Sequence, residues 1–416
     1  MMGMDGWAVL RKQDSRTYNR MSAIEGNMNK PAYVLFVITL LASCSGGKPQ
    51  VDKAIENGIE VVLNHVKPYR IPNELSVLGL EKEFVIDAED PELLKAGLTD
   101  IYRFGADSEG SIYIAQRPRK DALVFFRFDD RGQFLKSFGR VGQGPGEIER
   151  CSYFGINARD EIFSLDAQKN KITTYSPSGE VLKETLLPPT FIGAIPLDNG
   201  NFLAPENQAS PDSGFEEMTF NLLDRQYAKI KAMCRFRYPA QYPETGKKAN
   251  AFLPSPTGIF TSDRIYLGIP GSDYEILAFD LEGTLLKKIR KEYLPVEVTA
   301  SFQKEALADL PRGKELAERL FFPANKPAYQ YLFADETGRL FVMTSEKDEA
   351  SGQNVCDIFS ASGVFIGRSA VGYFDRLRFF WEGVSLDVVA KNKRMYLLHE
   401  KDNGYKELAV YKAIWR

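Results

Sequence analysis

One phrase recurs six times along this chain, and it fixes the kind of fold available. A turn rich in Asp, Asn or Gly precedes a short Ile/Leu-Tyr/Phe strand. A second strand follows, often closing on an aromatic residue and a glycine turn. The copies are Asp107–Ile114 leading to Phe128–Gly132, Arg159–Phe163 leading to Tyr175–Gly179, and Asp198–Leu203. Asp263–Leu267 with Phe279–Gly283, Asp335–Val342 with Phe359–Gly363, and Lys391–Leu397 with Val410-Tyr411 complete the set. A unit of this size cannot bury its own apolar face, so neighbouring copies must stack to make a core. The strands alternate as half-buried sheet does, for example Leu123–Phe128. The Gly and Asp/Asn turns supply the positive φ that tight hairpins need.

The first unit reads as four strands: Ile101–Ala106, Ser111–Ala115, Leu123–Phe128 and Phe134–Phe138. Four-stranded units repeated radially make a propeller, so the fold expected is all-β, a six-bladed β-propeller with four-stranded blades. The sixth copy reaches the C-terminus one strand short. An early strand, Glu83–Asp87 or Ile59–Leu63, is expected to pair there and close the ring, because an open edge would otherwise remain. Thr299–Leu320 breaks the pattern with apolar residues at helical spacing around Pro311-Arg312-Gly313, which predicts a short helical insertion between blades four and five.

The N-terminus carries an export pattern. Lys30 precedes the apolar run Ala32–Leu41, and Leu41-Ala42-Ser43-Cys44 follows it. The run is shorter than the roughly 20 residues that span a bilayer. Leu41–Cys44 resembles a bacterial lipobox, which implies that Cys44 receives a lipid and anchors the chain to a membrane. Met28 stands just before the basic flank, so residues 1–27 read as a mis-annotated or disordered extension, 28–43 as the lipoprotein signal, 44–57 as a flexible tether and 58–416 as the propeller. No acidic run follows Cys44, which favours a periplasm-facing outer membrane of a Gram-negative bacterium.

A formal charge of −3 leaves no basic excess to displace counterions, so nucleic acid is not an expected partner. Only His65 and His399 are present, which removes weight from zinc sites and histidine general bases. Cys44, Cys151, Cys234 and Cys356 show no CxxC spacing, so zinc ribbons are excluded, and the last three read as isolated thiols.

Phe138-Gly139-Arg140-Val141-Gly142-Gln143-Gly144-Pro145-Gly146-Glu147, together with the D-x-x-G-x-I-Y-I phrase, resembles NHL-type six-bladed propellers, in particular an exported lipoprotein group of uncharacterised function. The resemblance covers about Glu81 to Arg416 and implies the fold strongly and the activity hardly at all. Similar propellers include calcium-dependent lactonases and zinc-dependent lyases. The resemblance therefore implies, as an alternative to binding, a lactonase- or esterase-like hydrolase with calcium in the central channel, for which Asn157 and Asp198 stand near inner-strand ends. No catalytic residue is named and no cofactor is predicted, with calcium as the open possibility.

Antiparallel topology places the loops between second and third strands on the same face as the blade-to-blade connections. Arg117, Arg119, Arg140, Glu147 and the stretch Arg235–Tyr242, read as a loop with Arg235, Arg237 and Tyr238, should share that rim. Arginine beside aromatics is the composition of a recognition surface. A non-enzymatic binding or scaffold role for a peptide, glycan or protein partner is the expectation. Phe379-Phe380-Trp381 forms a second aromatic cluster, expected to pack at the start of blade six.

Overall fold

The structure, a computed structural model, describes residues 51–119, 122–189, 193–209, 215–240, 248–252, 256–270, 273–308, 317–372 and 388–416. Cys44, the export signal and Phe379–Trp381 lie outside the described residues.

The chain opens with β1 (Asp52–Glu56), β2 (Ile59–Asn64), β3 (Leu78–Asp87) and helix α1 (Pro91–Ala96). Blade one is β4 (Arg103–Ala106), β5 (Ile112–Ala115), β6 (Leu123–Phe128) and β7 (Phe134–Arg140). Blade two is β8 (Tyr153–Ile156), β9 (Ile162–Asp166), β10 (Lys171–Tyr175) and β11 (Val181–Leu186). Blade three is β12 (Ile195–Pro196), β13 (Phe202–Ala209), β14 (Phe215–Leu223) and β15 (Lys229–Pro239). After β16 (Ala249–Asn250), blade four is β17 (Thr257–Phe260), β18 (Ile265–Gly268), β19 (Glu275–Phe279) and β20 (Leu285–Lys291). Helix α2 (Ala300–Ala308) and β21 (Leu320–Phe321) precede blade five, which is β22 (Tyr329–Ala334), β23 (Leu340–Lys347), β24 (Asn354–Phe359) and β25 (Phe365–Ala370). Blade six is β26 (Val388–Lys391), β27 (Arg394–Glu400) and β28 (Lys406–Trp415), completed by β3. The six blades form a ring, as the repeat predicts.

Of the two early strands expected to close the ring, β3 does so. It lies antiparallel to β28 from Leu78↔Trp415 to Asp87↔Glu407. The other, β2, runs parallel to β20 on the outside of blade four, with Glu60 opposite Lys287 and Asn64 opposite Lys291. β1 folds back on β2 through Asn57-Gly58, whose φ values of 52° and 81° are the positive pair a two-residue type I′ turn demands. The stretch 44–57 expected as tether is therefore strand from Asp52 onward. The Asn-Gly signal explains why.

Between β2 and β3 the chain crosses the outer strand of blade five. The Tyr69 N–H donates to the Phe365 carbonyl at 2.8 Å, and Asn64 Oδ1 accepts the Phe365 N–H at 2.8 Å. The N-terminal segment is thus a belt over blades four, five and six.

The glycine that follows the third strand in blades one, two, four and five has a packing reason besides its turn; blade three places Tyr227 there, also at positive φ. At Gly179 (φ 81°) a Cβ would lie 2.5 Å from the Phe138 ring of the preceding blade, and at Gly363 (φ 85°) it would lie 2.9 Å from Ile289. Each turn rests on the outer strand of the blade before it. Buried clusters fill the blade interfaces, for example Phe125, Phe138, Phe154 and Tyr175 between blades one and two.

Helix α2 is the expected insertion. Phe302 meets the rings of Phe252 and Phe322, and Lys326 Nζ lies 3.7 Å from its ring centroid, so the helix is packed onto the body of the protein. No helix among the described residues is long and apolar enough to cross a membrane.

Candidate functional site

The blade-to-blade connections and the loops between second and third strands define an upper face. The remaining hairpins define a lower one. Arg117 and Arg119 lie in the upper loop of blade one, and Arg140 and Glu147 in its exit to blade two. Arg235, Arg237 and Tyr238 lie in the upper half of β15. The expected loop from Arg235 is therefore strand through Pro239. Its ladder continues because Phe215, Glu216 and Glu217 of β14 keep pairing with Pro239, Tyr238 and Arg237.

Each of these residues is held within its own blade or against the next one. Arg117 lies over the Tyr102 ring at 4.9 Å, as Arg103 does at 4.5 Å, and Arg117 reaches Asp100 at 3.9 Å. Arg119 is exposed, and its carbonyl accepts the Ala122 N–H. Arg140 is exposed, and its carbonyl accepts the Ile148 N–H. Glu147 accepts the N–H of Gly144 at 2.7 Å inside the glycine-rich turn. That turn is pinned to blade two, since Lys171 Nζ and the Tyr175 hydroxyl donate to the carbonyls of Glu147 and Gly146 at 3.0 Å each. Arg235 pairs with Glu217 at 3.5 Å, Arg237 stacks over Phe215 at 4.3 Å, and the buried Tyr238 hydroxyl donates to Glu216 at 3.1 Å.

Sequence reasoning missed an open cleft on the same face, at the top of blade four. Its volume is about 800 Å³, and its lining includes Asp52, His65, Asp273, Tyr274, Glu292 and Tyr293. The belt builds one wall: β1 begins there and β2 ends there. His65 bridges the wall to the blade, 3.1 Å from Asp52 and 3.0 Å from Glu292. Those hydrogen bonds, with Glu292 first, raise the imidazole above its ordinary value of 6.5. Arg290 is held by Glu56 and Glu275, and hydrogen bonds from Arg290 hold the Glu56 carboxyl at about 2.

Beneath the cleft lies a buried ionic cluster joining blades four and five. Lys291, its side chain 2% exposed, sits 3.2 Å from the fully buried Asp357 and donates to the Glu292 carbonyl. Asp357 also accepts from the Tyr274 hydroxyl at 2.9 Å and Arg368 Nε at 2.8 Å. Burial first, and Asp357 second, push the Tyr274 phenol far up. Every charge here has a counter-charge and hydrogen bonds, which is the condition for keeping it buried.

The lower face is tied differently. Ser108 N–H donates to Asp160, Ala158 N–H to Asp198 and Lys393 N–H to Glu336, at 2.8, 2.9 and 3.0 Å, so hairpins of adjacent blades clasp one another. Asn157 Oδ1 accepts the N–H groups of Arg159 and Glu161. Asn157 and Asp198 are thus engaged by backbone donors in these turns. Nearer the axis, the Tyr153 ring lies 5.9 Å from Phe163 and 6.0 Å from Phe260. Among the described residues no group of three or more His, Cys, Asp or Glu side chains is arranged to hold a metal ion. Cys151, Cys234 and Cys356 are free thiols, and burial pushes the first two up to about 12.

Fold and faces together define a six-bladed β-propeller whose N-terminal belt helps to form a cleft. Residues 99–245 match the DUF5128 family, a 6-bladed beta-propeller. No curated protein matches the sequence. Among solved structures, the chain is similar to a protein of Bacteroides fragilis NCTC 9343 provisionally designated as exported, with 12% identity, 86% of this chain and 99% of that one covered, and a TM-score of 0.49. It is similar to a DUF4221 family member from Bacteroides vulgatus ATCC 8482 at 10% identity, covering 82% and 100% of the two chains, with a TM-score of 0.45. A gluconolactonase from Xanthomonas campestris aligns at 8% identity over 83% of this chain and 100% of its own, with a TM-score of 0.37.

Proposed function

We propose that this chain is an exported, lipid-anchored propeller of NHL type that acts as a binding or scaffold module, presenting its upper face to a peptide, glycan or protein partner. The export pattern from Lys30 to Cys44 supports the anchor, with the Cys44 thiol as lipid acceptor and a periplasm-facing outer membrane as the location. The observation that carries the binding role is the cleft of about 800 Å³ beside His65, Tyr274 and Tyr293. A ligand there meets the partly exposed Tyr293 ring, carboxylates and a bridging imidazole within one concave site, which is the mixture that orients as well as holds a ligand.

The test is calorimetric titration of the whole chain with defined peptide and oligosaccharide panels, repeated with Tyr293→Ala. A ligand whose affinity falls by about tenfold or more in the variant supports the reading, since buried aromatic anchors carry much of such binding energy. Binding that the variant leaves unchanged refutes the cleft. Calcium is the discriminating additive. A calcium-dependent rise in Tm that a chelator reverses would replace the binding module with the lactonase- or esterase-like hydrolase.

A further inference from the structure

Two outer strands of this ring carry four cations and no carboxylate: β20 (Leu-Leu-Lys-Lys-Ile-Arg-Lys) and β15 (Lys-Ile-Lys-Ala-Met-Cys-Arg-Phe-Arg-Tyr-Pro). The glycine turns of the following blades align them. Gly363 packs on Lys287 and Ile289 of β20, and Gly283 packs on Lys231 and Met233 of β15. Lys231 and Met233 therefore lie where Lys287 and Ile289 do, while the bulge beside Met233 turns Arg235 and Arg237 to the exposed side, unlike the buried Lys291.

β20 is covered. β2 adds to it as a parallel strand, placing Glu60 opposite Lys287 and Val62 opposite Ile289. Glu56 of the same hairpin bonds Lys288 at 3.0 Å and Arg290. β15 ends its sheet, with no further strand beside it among the described residues. Ile230 on it is 49% exposed. An uncovered edge offers a row of backbone donors and acceptors to an incoming strand.

We propose that β15 is a docking edge for an extended acidic segment of a partner protein, which adds to blade three as β2 adds to blade four. By the β20 register, the incoming strand sets an acid opposite Lys231 and an aliphatic residue opposite Met233; beyond the bulge, further acids meet the exposed Arg235 and Arg237. The acid opposite Arg235 competes with Glu217, which is an exposed partner at 3.5 Å and screened by water. This deepens the binding role proposed above by naming a partner chemistry, and it rests on that role only through Arg235 and Arg237.

The probe is the peptide Gly-Ile-Glu-Val-Val-Leu-Glu-Val-Glu-Gly, titrated by fluorescence anisotropy against the full chain, with amide exchange mapped on the complex. Binding should protect β15 amides and weaken by about tenfold or more in Arg235→Glu/Arg237→Glu. A peptide with its glutamates replaced by lysine should bind that variant and not the parent. If the double reversal fails to fold, Arg235→Gln/Arg237→Gln reads the same charge loss without the reversal. No binding, protection at β20 instead of β15, or affinity indifferent to these variants overturns the proposal. So does capture of anionic vesicles by the same arginines without peptide binding, which would make the strand a lipid contact. Tyr293→Ala in the cleft should leave the peptide affinity unchanged, so failure of the cleft and failure of the edge are told apart.

Discussion

Blades one to three and blades four to six are built from the same repeat, yet their outer edges meet different surroundings. Phe365 and Val181 hold the same place, each the second residue after its turn glycine and each opposite the last aromatic of the third strand. Phe365 is fully buried beneath the belt, whereas Val181 is 48% exposed. Leu182 and Leu186 of β11 are likewise exposed. The difference lies in what covers the outer strand, since the blades themselves are alike. The belt covers the outer strands of blades four and five and supplies that of blade six, while among the described residues no strand lies beyond the fourth strand of blades one to three.

The largest effect should come from removing the belt. A chain starting after Asp87 loses β1, β2 and β3 and leaves β28 as a bare edge with Leu408 and Val410 uncovered. Its unfolding, followed by circular dichroism, should lose cooperativity, and a melt like that of the full chain would break the comparison at its root. Next is Asp357→Ala, which strands Lys291 in the interface between blades four and five. Leaving one partner of a buried pair uncompensated costs about 3–5 kcal/mol, to be read from denaturant midpoints.

Matched truncations sharpen the contrast between halves. Phe365→Ala should cost about 3–5 kcal/mol, while Val181→Ala should change stability by about 0.5 kcal/mol or less. Similar penalties at both sites would mean that the outer edges are equally packed. The smallest effect concerns the clamp of His65 on Asp52 and Glu292. Its folded-state pKa is raised above 6.5, so the clamp contributes fully below pH 6.5 and is lost as pH rises through the folded value. With the side chain half exposed, the expected readout is a slight fall in Tm above that point, absent in His65→Gln.

Much of the ring was legible because its turns are written in residues with conformational necessity. The glycine after the third strand of blades one, two, four and five needs positive φ and a close approach to the blade before it, so it recurs in the sequence with those blades. Closure by Glu83–Asp87 was legible as one of two options, because the sixth copy visibly lacks a strand. The Asn57-Gly58 hairpin carried a strong signal within a stretch whose composition reads as tether. Arg235–Tyr242 reads as loop because Pro239 and the dense arginines resemble one, although Pro at the end of an outer strand costs no ladder bond. The cleft was not legible at all. Its walls come from residues near 52–65 and 273–293, and only the parallel pairing of β2 with β20 brings them together.

The most direct test of the belt is residue-resolved hydrogen exchange on the intact chain, comparing outward-facing amides of the outer strands. The account predicts slow exchange along β20 and at Phe365, where β2 and Asn64 supply acceptors, and fast exchange along β11 and β15. Equal protection on the two halves, or fast exchange at Phe365, would contradict it.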